Sequence, residues 1–249
     1  MVKPVLLIRS ENNGVDSTAL EKLGIPAFTD PYVEITPASD HSAGLKLMEL
    51  LSSSQQQLWV IATSRNSIRY WAQLVGEAQF RAELGKHAHL KFAAIGEATA
   101  QILRDYGAMD VFLPSHSSAE VLAQELTTHD PQSHALIPGG NLSMPHLAAI
   151  LRSSGWSVNT AQVYRTSRVS KEPQSADLLR EGEFSAVLLR SPSAVDALTH
   201  FVPKPPVPLV CAGSTTASAV QVHGLQVGAI SAKPTPEAVA ETIYSLIFH

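Results

Sequence analysis

Five short turns in this 249-residue chain combine small residues with hydroxyls: Thr63-Ser64-Arg65-Asn66-Ser67, Gly96-Glu97-Ala98-Thr99, Pro138-Gly139-Gly140-Asn141, Arg190-Ser191-Pro192-Ser193 and Gly213-Ser214-Thr215-Thr216. Each follows an apolar run and precedes a segment of helical period, so each offers the free amides and positive dipole end of a helix N-terminus. Such turns hold carboxylate or phosphate without lysines, and several of them facing one cleft would hold a polyanion. A Ser or Thr in any one turn is better accounted for as the cap of its own helix; the recurrence is what points to a ligand. Arg9, Arg65, Arg69, Arg165, Arg168 and Arg190 stand at strand ends, helix starts or extended segments, where they either add charge to such a cleft or are solvated. The glycine turns of dinucleotide, P-loop and serine-hydrolase chemistry are missing from the sequence. His87-Ala88-His89 has no carboxylate or cysteine spaced to complete a metal site, so no metal is expected.

The elements that must position these turns are written twice. Residues 92–126 match 209–243 without a gap, which puts Gly96 on Gly213, Thr99 on Thr216 and Glu120 on Glu237. Upstream, Ser64 falls on Ser191, and residues 20–24 fall on 151–155. Strands are predicted at residues 5–8, 58–62, 92–95, 111–113, 135–137, 186–189, 209–212 and 228–230, each followed by a turn and a helix, which is βα repeated eight times. Ser191-Pro192 and Thr235-Pro236 read as a cap followed by a proline in the first turn, and Ser117-Ser118-Ala119-Glu120 has capping-box spacing. Gly24, Gly107, Gly155 and Gly224 read as helix stops. Two similar α/β domains follow, with their turns at the carboxyl ends of parallel strands, where open sheets bind ligands.

Two β-rich segments, 32–37 and 162–168, break the rhythm at corresponding places. If both are crossings, the chain leaves the first domain near residue 36, completes a second and returns near 167; a cut near residue 130 fits the linear repeat about as well. Tyr164 falls on Val33 in the repeat, so only one of the two segments carries a phenol at this position. A phenol can give a proton or hydrogen bond to a departing hydroxyl while its ring packs on a flat organic substrate, or it can simply pack there.

With 45% apolar and 16% charged residues, the composition suits buried parallel strands. A net charge of −4 and the absence of basic runs argue against a nucleic-acid partner. The single cysteine, Cys211, lies in an apolar run and reads as a buried, inert thiol. No apolar run suits a signal peptide or a membrane span, so a cytoplasmic protein is expected.

The blocks 63–68, 94–100, 136–141, 163–166, 189–194 and 212–218, in this order and closed by Pro234-Thr235-Pro236-Glu237, resemble uroporphyrinogen-III synthase over essentially the whole length. The resemblance implies two flavodoxin-like parallel-sheet domains joined by a two-strand hinge: a discontinuous one of residues 1–36 and 167–249, and an inserted one of residues 37–166. It implies closure of hydroxymethylbilane, a linear tetrapyrrole with eight carboxylates, to uroporphyrinogen III, without a cofactor. Carried over by position, Tyr164 is the candidate to assist hydroxyl departure. Arg9, Thr63, Ser64, Arg65, Gly96, Thr99, Gly140, Asn141, Ser191, Ser193, Gly213, Ser214, Thr215 and Thr216 are the candidates to hold the substrate. A monomer is expected, without membrane or nucleic-acid partners. The alternative is a non-catalytic two-domain binding protein for a small polyanion.

Overall fold

The computed structural model describes residues 2–86, 89–143 and 145–248. The chain forms two compact units, Met1–Ile35 with Thr166–His249 (unit 1) and Thr36–Arg165 (unit 2). It opens with β1 (Val5–Leu7), α1 (Asn13–Glu21), β2 (Ala27–Thr29) and β3 (Val33–Pro37). Unit 2 adds α2 (Ser42–Ser53), β4 (Leu58–Ala62), α3 (Arg65–Val75), α4 (Glu77–Lys86), β5 (Leu90–Ala94), α5 (Glu97–Asp105), β6 (Val111–Phe112), α6 (Ala119–His129), β7 (His134–Gly140) and α7 (His146–Ser153). After β8 (Ser157–Arg168) come α8 (Ser175–Arg180), β9 (Ala186–Leu189), α9 (Pro192–Phe201), β10 (Leu209–Cys211), α10 (Ser214–Val222), β11 (Ala229–Ile230) and α11 (Pro236–Phe248).

The five-stranded sheet runs β11-β10-β9-β1-β2, all parallel. In chain order this is 2-1-3-4-5, the flavodoxin-like arrangement. The six-stranded sheet runs β3-β8-β7-β4-β5-β6. Read from β4, its strands β8-β7-β4-β5-β6 lie in the same order as β2-β1-β9-β10-β11 read from β9. The two sheets are therefore one topology entered at different points, and this is why residues of β4 and β5 repeat in β9 and β10.

Strands buried on both faces explain the continuous apolar runs. In unit 1, Val5, Leu7, Ala186, Leu188 and Val210 pack one face with α1 and α11. Leu6, Ile8, Val187, Leu189 and Cys211 pack the other with α8, α9 and α10. Burial pushes the Cys211 thiol up to about 11, so it stays a protonated core residue. In unit 2, Trp59, Ile61, Ala135 and Ile137 pack against α6 and α7.

Eleven strands occur among the described residues where eight were expected. The additional ones are β2, β3 and β8; β2 was not anticipated because it is a sheet-edge strand with mostly exposed side chains and carries no apolar run. The cap of α6 is Ser118, one residue after the expected Ser117, and its hydroxyl accepts from Val121 N. Ser191 and Thr235 cap as expected, accepting from Ala194 N and Ala238 N at 3.3 Å each. Gly24, Gly107, Gly155 and Gly224 all have φ between 70 and 107°, a region that penalises any side chain. No helix among the described residues is long and apolar enough to cross a membrane.

Candidate functional site

In each unit the helices after two neighbouring central strands lie on opposite faces, which opens a crevice at the strands' carboxyl ends. In unit 2 those strands are β7 and β4. The peptide after β4 turns sharply at Thr63 and Ser64, and Ser64 caps α3 by accepting from Ser67 N at 3.1 Å. The end of β7 is Gly139-Gly140, where the register against β8 slips by one residue, so that Gly140 faces Tyr164 and not Val163. This bulge re-aims β8 and throws the Tyr164 side chain across the end of β7.

Tyr164 crosses at Gly140 because nothing stands there: a Cβ on Gly140 would lie 2.5 Å from ring atoms Cε2 and Cζ. The ring stacks on Tyr70 of α3, centroids 5.8 Å apart and planes 25° apart. Its hydroxyl reaches the end of β4, 3.2 Å from Ser64 Oγ. Ser143 closes the turn, accepting from Gly140 N at 2.7 Å and donating its own amide to Gly140 O at 3.1 Å. A pocket of about 260 Å³ opens beside this turn, with Ile137, Leu147 and Ala148 as apolar wall and Thr63, Ser143 and Thr160 as polar rim.

Unit 1 has the corresponding crevice between β1 and β9. Arg9 follows β1 and Arg190 follows β9; between them lies Asp16 of α1, 2% exposed. Arg190 grips both Asp16 oxygens, Nε at 2.7 Å from Oδ2 and Nη2 on Oδ1, and gives Nη1 to Pro234 O at 2.7 Å. Arg9 Nη1 is 3.6 Å from Asp16 Oδ2. Ser191 caps α9 and its Oγ is 3.1 Å from Ser193 Oγ. A second pocket, of about 510 Å³, is lined by Arg190, the 212–216 turn and Ser231.

The expected site residues thus separate into groups. Thr63, Ser64, Arg65, Gly140, Asn141 and Tyr164 gather at the carboxyl ends of β4 and β7, Tyr164 reaching there from within β8. Gly96 and Gly213 are the N-caps of α5 and α10, in extended backbone and with no side-chain cap, which leaves those helix amides to other acceptors. Ser214 and Thr215 are exposed at the start of α10. Thr99 and Thr216, at 7% and 4% exposure, are buried in the first turns of their helices. Arg190 is neither a solvated residue nor a loose cleft charge, because a buried carboxylate holds it. His87 lies outside the described residues; His89 is half-buried ahead of β5.

Three residues of these crevices escaped sequence reading: Asp16, Tyr70 and Ser143. Asp16 had left a signal, since it shares the buried face of α1 with Ala19 and Leu20 at three and four residues' spacing, where a carboxylate needs a partner. Tyr70 and Ser143 had none.

The family described as uroporphyrinogen-III synthase HemD matches residues 15–241, nearly the whole chain. The chain belongs to the uroporphyrinogen-III synthase family. The crevice at β4, β7 and β8 is therefore a candidate site in a member of that family. The chain is 22% identical over 221 residues to the porphyrin biosynthesis protein HemD of Ruminiclostridium josui. The match takes in 87% of this chain but only 43% of that relative's length. The fold is similar to that of uroporphyrinogen-III synthetase from Helicobacter pylori, with a TM-score of 0.70 at 18% identity over 98% of this chain and 100% of the other. It is also similar to a mutant uroporphyrinogen III synthase from Thermus thermophilus, with a TM-score of 0.64 at 16% identity over 97% and 98%.

Proposed function

We propose that the chain cyclises hydroxymethylbilane to uroporphyrinogen III, with loss of water and inversion of the last ring, as a cytoplasmic monomer needing no cofactor and no membrane or nucleic-acid partner. The observation that carries this reading is the phenol of Tyr164, set over Gly140 at the mouth of unit 2 in a chain that matches the family from residue 15 to residue 241. The hydroxymethyl group leaves as water when its oxygen takes a proton, and the pyrrole nitrogen supplies the electron pair that makes the terminal ring an electrophilic azafulvene. Tyr164 is the group placed to give that proton. The azafulvene cyclises readily by itself, so the work of the protein is to hold the chain where the type III carbon is attacked, through positioning and electrostatics.

Within each unit, helix N-termini are the groups suited to hold carboxylates: the amides after Thr63-Ser64 and Gly96 in unit 2, and those after Ser191 and Gly213 in unit 1. Arg9, Arg65, Asn141, Ser193, Ser214 and Thr215 supply side-chain donors. Purified protein fed with enzymatically generated bilane should yield mainly the type III isomer after oxidation and separation. A mixture matching the spontaneous type I cyclisation would refute the reading. Dialysis against a chelator should leave turnover unchanged; a loss restored by added metal would overturn the cofactor-free part.

Gly140→Ala tests the placement of the phenol. The added methyl meets the Tyr164 ring at 2.5 Å, so the ring must move off Ser64. Overpacking of this kind costs about 1–3 kcal/mol, and the variant should make type III product at least ~10-fold more slowly while remaining folded. Full activity would show that the position of Tyr164 over β7 is not needed.

A further inference from the structure

The bond between Ser64 and Tyr164 gives Ser64 a use beyond capping α3 or touching a carboxylate. Ser64 Oγ already accepts the Ser67 amide at 3.1 Å, and Ser67 Oγ donates to Ser64 O at 2.7 Å, which fixes the turn. The Ser64 hydroxyl accepts that amide with one of its two lone pairs and keeps its proton to donate, and the Tyr164 oxygen lies 3.2 Å away, where either oxygen can be the donor. Tyr70 covers one face of the Tyr164 ring and Gly140 lies against it, which favours this placement.

We propose that Ser64 is a positioning residue that acts through Tyr164, the middle member of a donor chain from the α3 N-terminus through Ser67 N–H, Ser64 O–H and Tyr164 O–H to the substrate's leaving hydroxyl. This rests on the synthase reading above. In the step itself the substrate C–O bond breaks, its electron pair leaves with oxygen, and that oxygen takes the Tyr164 proton and departs as water. The phenolate left behind accepts the Ser64 O–H, whose oxygen is itself polarised by the helix amide. The proton released when the cyclised pyrrole regains aromaticity returns to Tyr164. Each hydrogen bond in the chain strengthens the next, and one made to a developing charge outweighs a neutral one. Ser64 thus acts when charge appears on the phenol, which places its effect on kcat more than on KM.

The test is a double-mutant cycle on the rate of type III formation. Ser64→Ala should lower kcat about tenfold with KM changed less than about twofold, and Ser64→Thr, which keeps both the hydroxyl and the cap, should restore most of it. In a Tyr164→Phe background the same Ser64→Ala change should alter kcat by less than about twofold, because the group it acts through is gone. A tenfold loss that persists in the Tyr164→Phe background would overturn the proposal, showing that Ser64 holds substrate or merely caps α3. A fall in kcat/KM carried wholly by KM would overturn it as well. Wild-type protein giving only type I product would be a different failure, that of the synthase reading, and would be seen before any variant is made.

Discussion

Tyr164→Phe is expected to lower kcat for type III formation by about 10²-fold or more, the usual worth of a positioned general acid. The substitution removes one oxygen and keeps the ring, so the stack on Tyr70 at 5.8 Å and the packing over Gly140 remain. The lost bond to Ser64 is a half-buried neutral contact worth about 1 kcal/mol, so the unfolding midpoint should barely move. The pairing of a large kinetic loss with a small stability change separates a chemical role for the phenol from a packing role. Product identity adds a second readout: slower water loss gives the uncatalysed route more time, and the type I fraction should rise. A Tyr164→Phe protein with wild-type kcat and isomer ratio would show that hydroxyl departure needs no help from this residue.

The largest effect on stability is expected at Asp16. Its carboxylate is 2% exposed and is gripped by Arg190, whose side chain is 13% exposed, with Arg9 close by. Asp16→Asn leaves the Arg190 guanidinium buried without a counter-charge, which costs about 3–5 kcal/mol in comparable cases. Urea unfolding should show the loss as a lower midpoint. Replacing both partners, Asp16→Asn with Arg190→Met, should recover most of it, because the buried guanidinium goes together with its carboxylate and the Arg9 side chain, 27% exposed, still reaches solvent. An Asp16→Asn protein as stable as wild type would mean that the pair is solvated and carries little. The double variant matters for function too: if stability returns while turnover does not, the Arg190–Asp16 pair shapes the turn that follows β9.

Features written in adjacent residues were legible in the chain. Apolar runs marked the strands because parallel strands are covered on both faces, as Leu6 and Leu7 are in opposite cores of unit 1. Ser191, Thr235 and the four stop glycines could be placed because a cap or a left-handed turn depends on only three or four residues. The two-domain α/β class and the Ser/Thr/Gly turns at strand ends followed from the same local signals and from the repeat. Strand β2 escaped because a short edge strand has no apolar periodicity to announce it. The contacts that make a site were decided only in three dimensions. Tyr164 meets Ser64 across 100 residues and Arg190 meets Asp16 across 174, and neither spacing obeys a local period. What brings Tyr164 to Ser64 is a one-residue slip at Gly139/Gly140 together with the strand order β8-β7-β4. The slip turns the phenol across β7, and the glycine leaves it room to pass. A register shift and a strand order are set by packing of the whole sheet, so no stretch of sequence around either residue could have carried them.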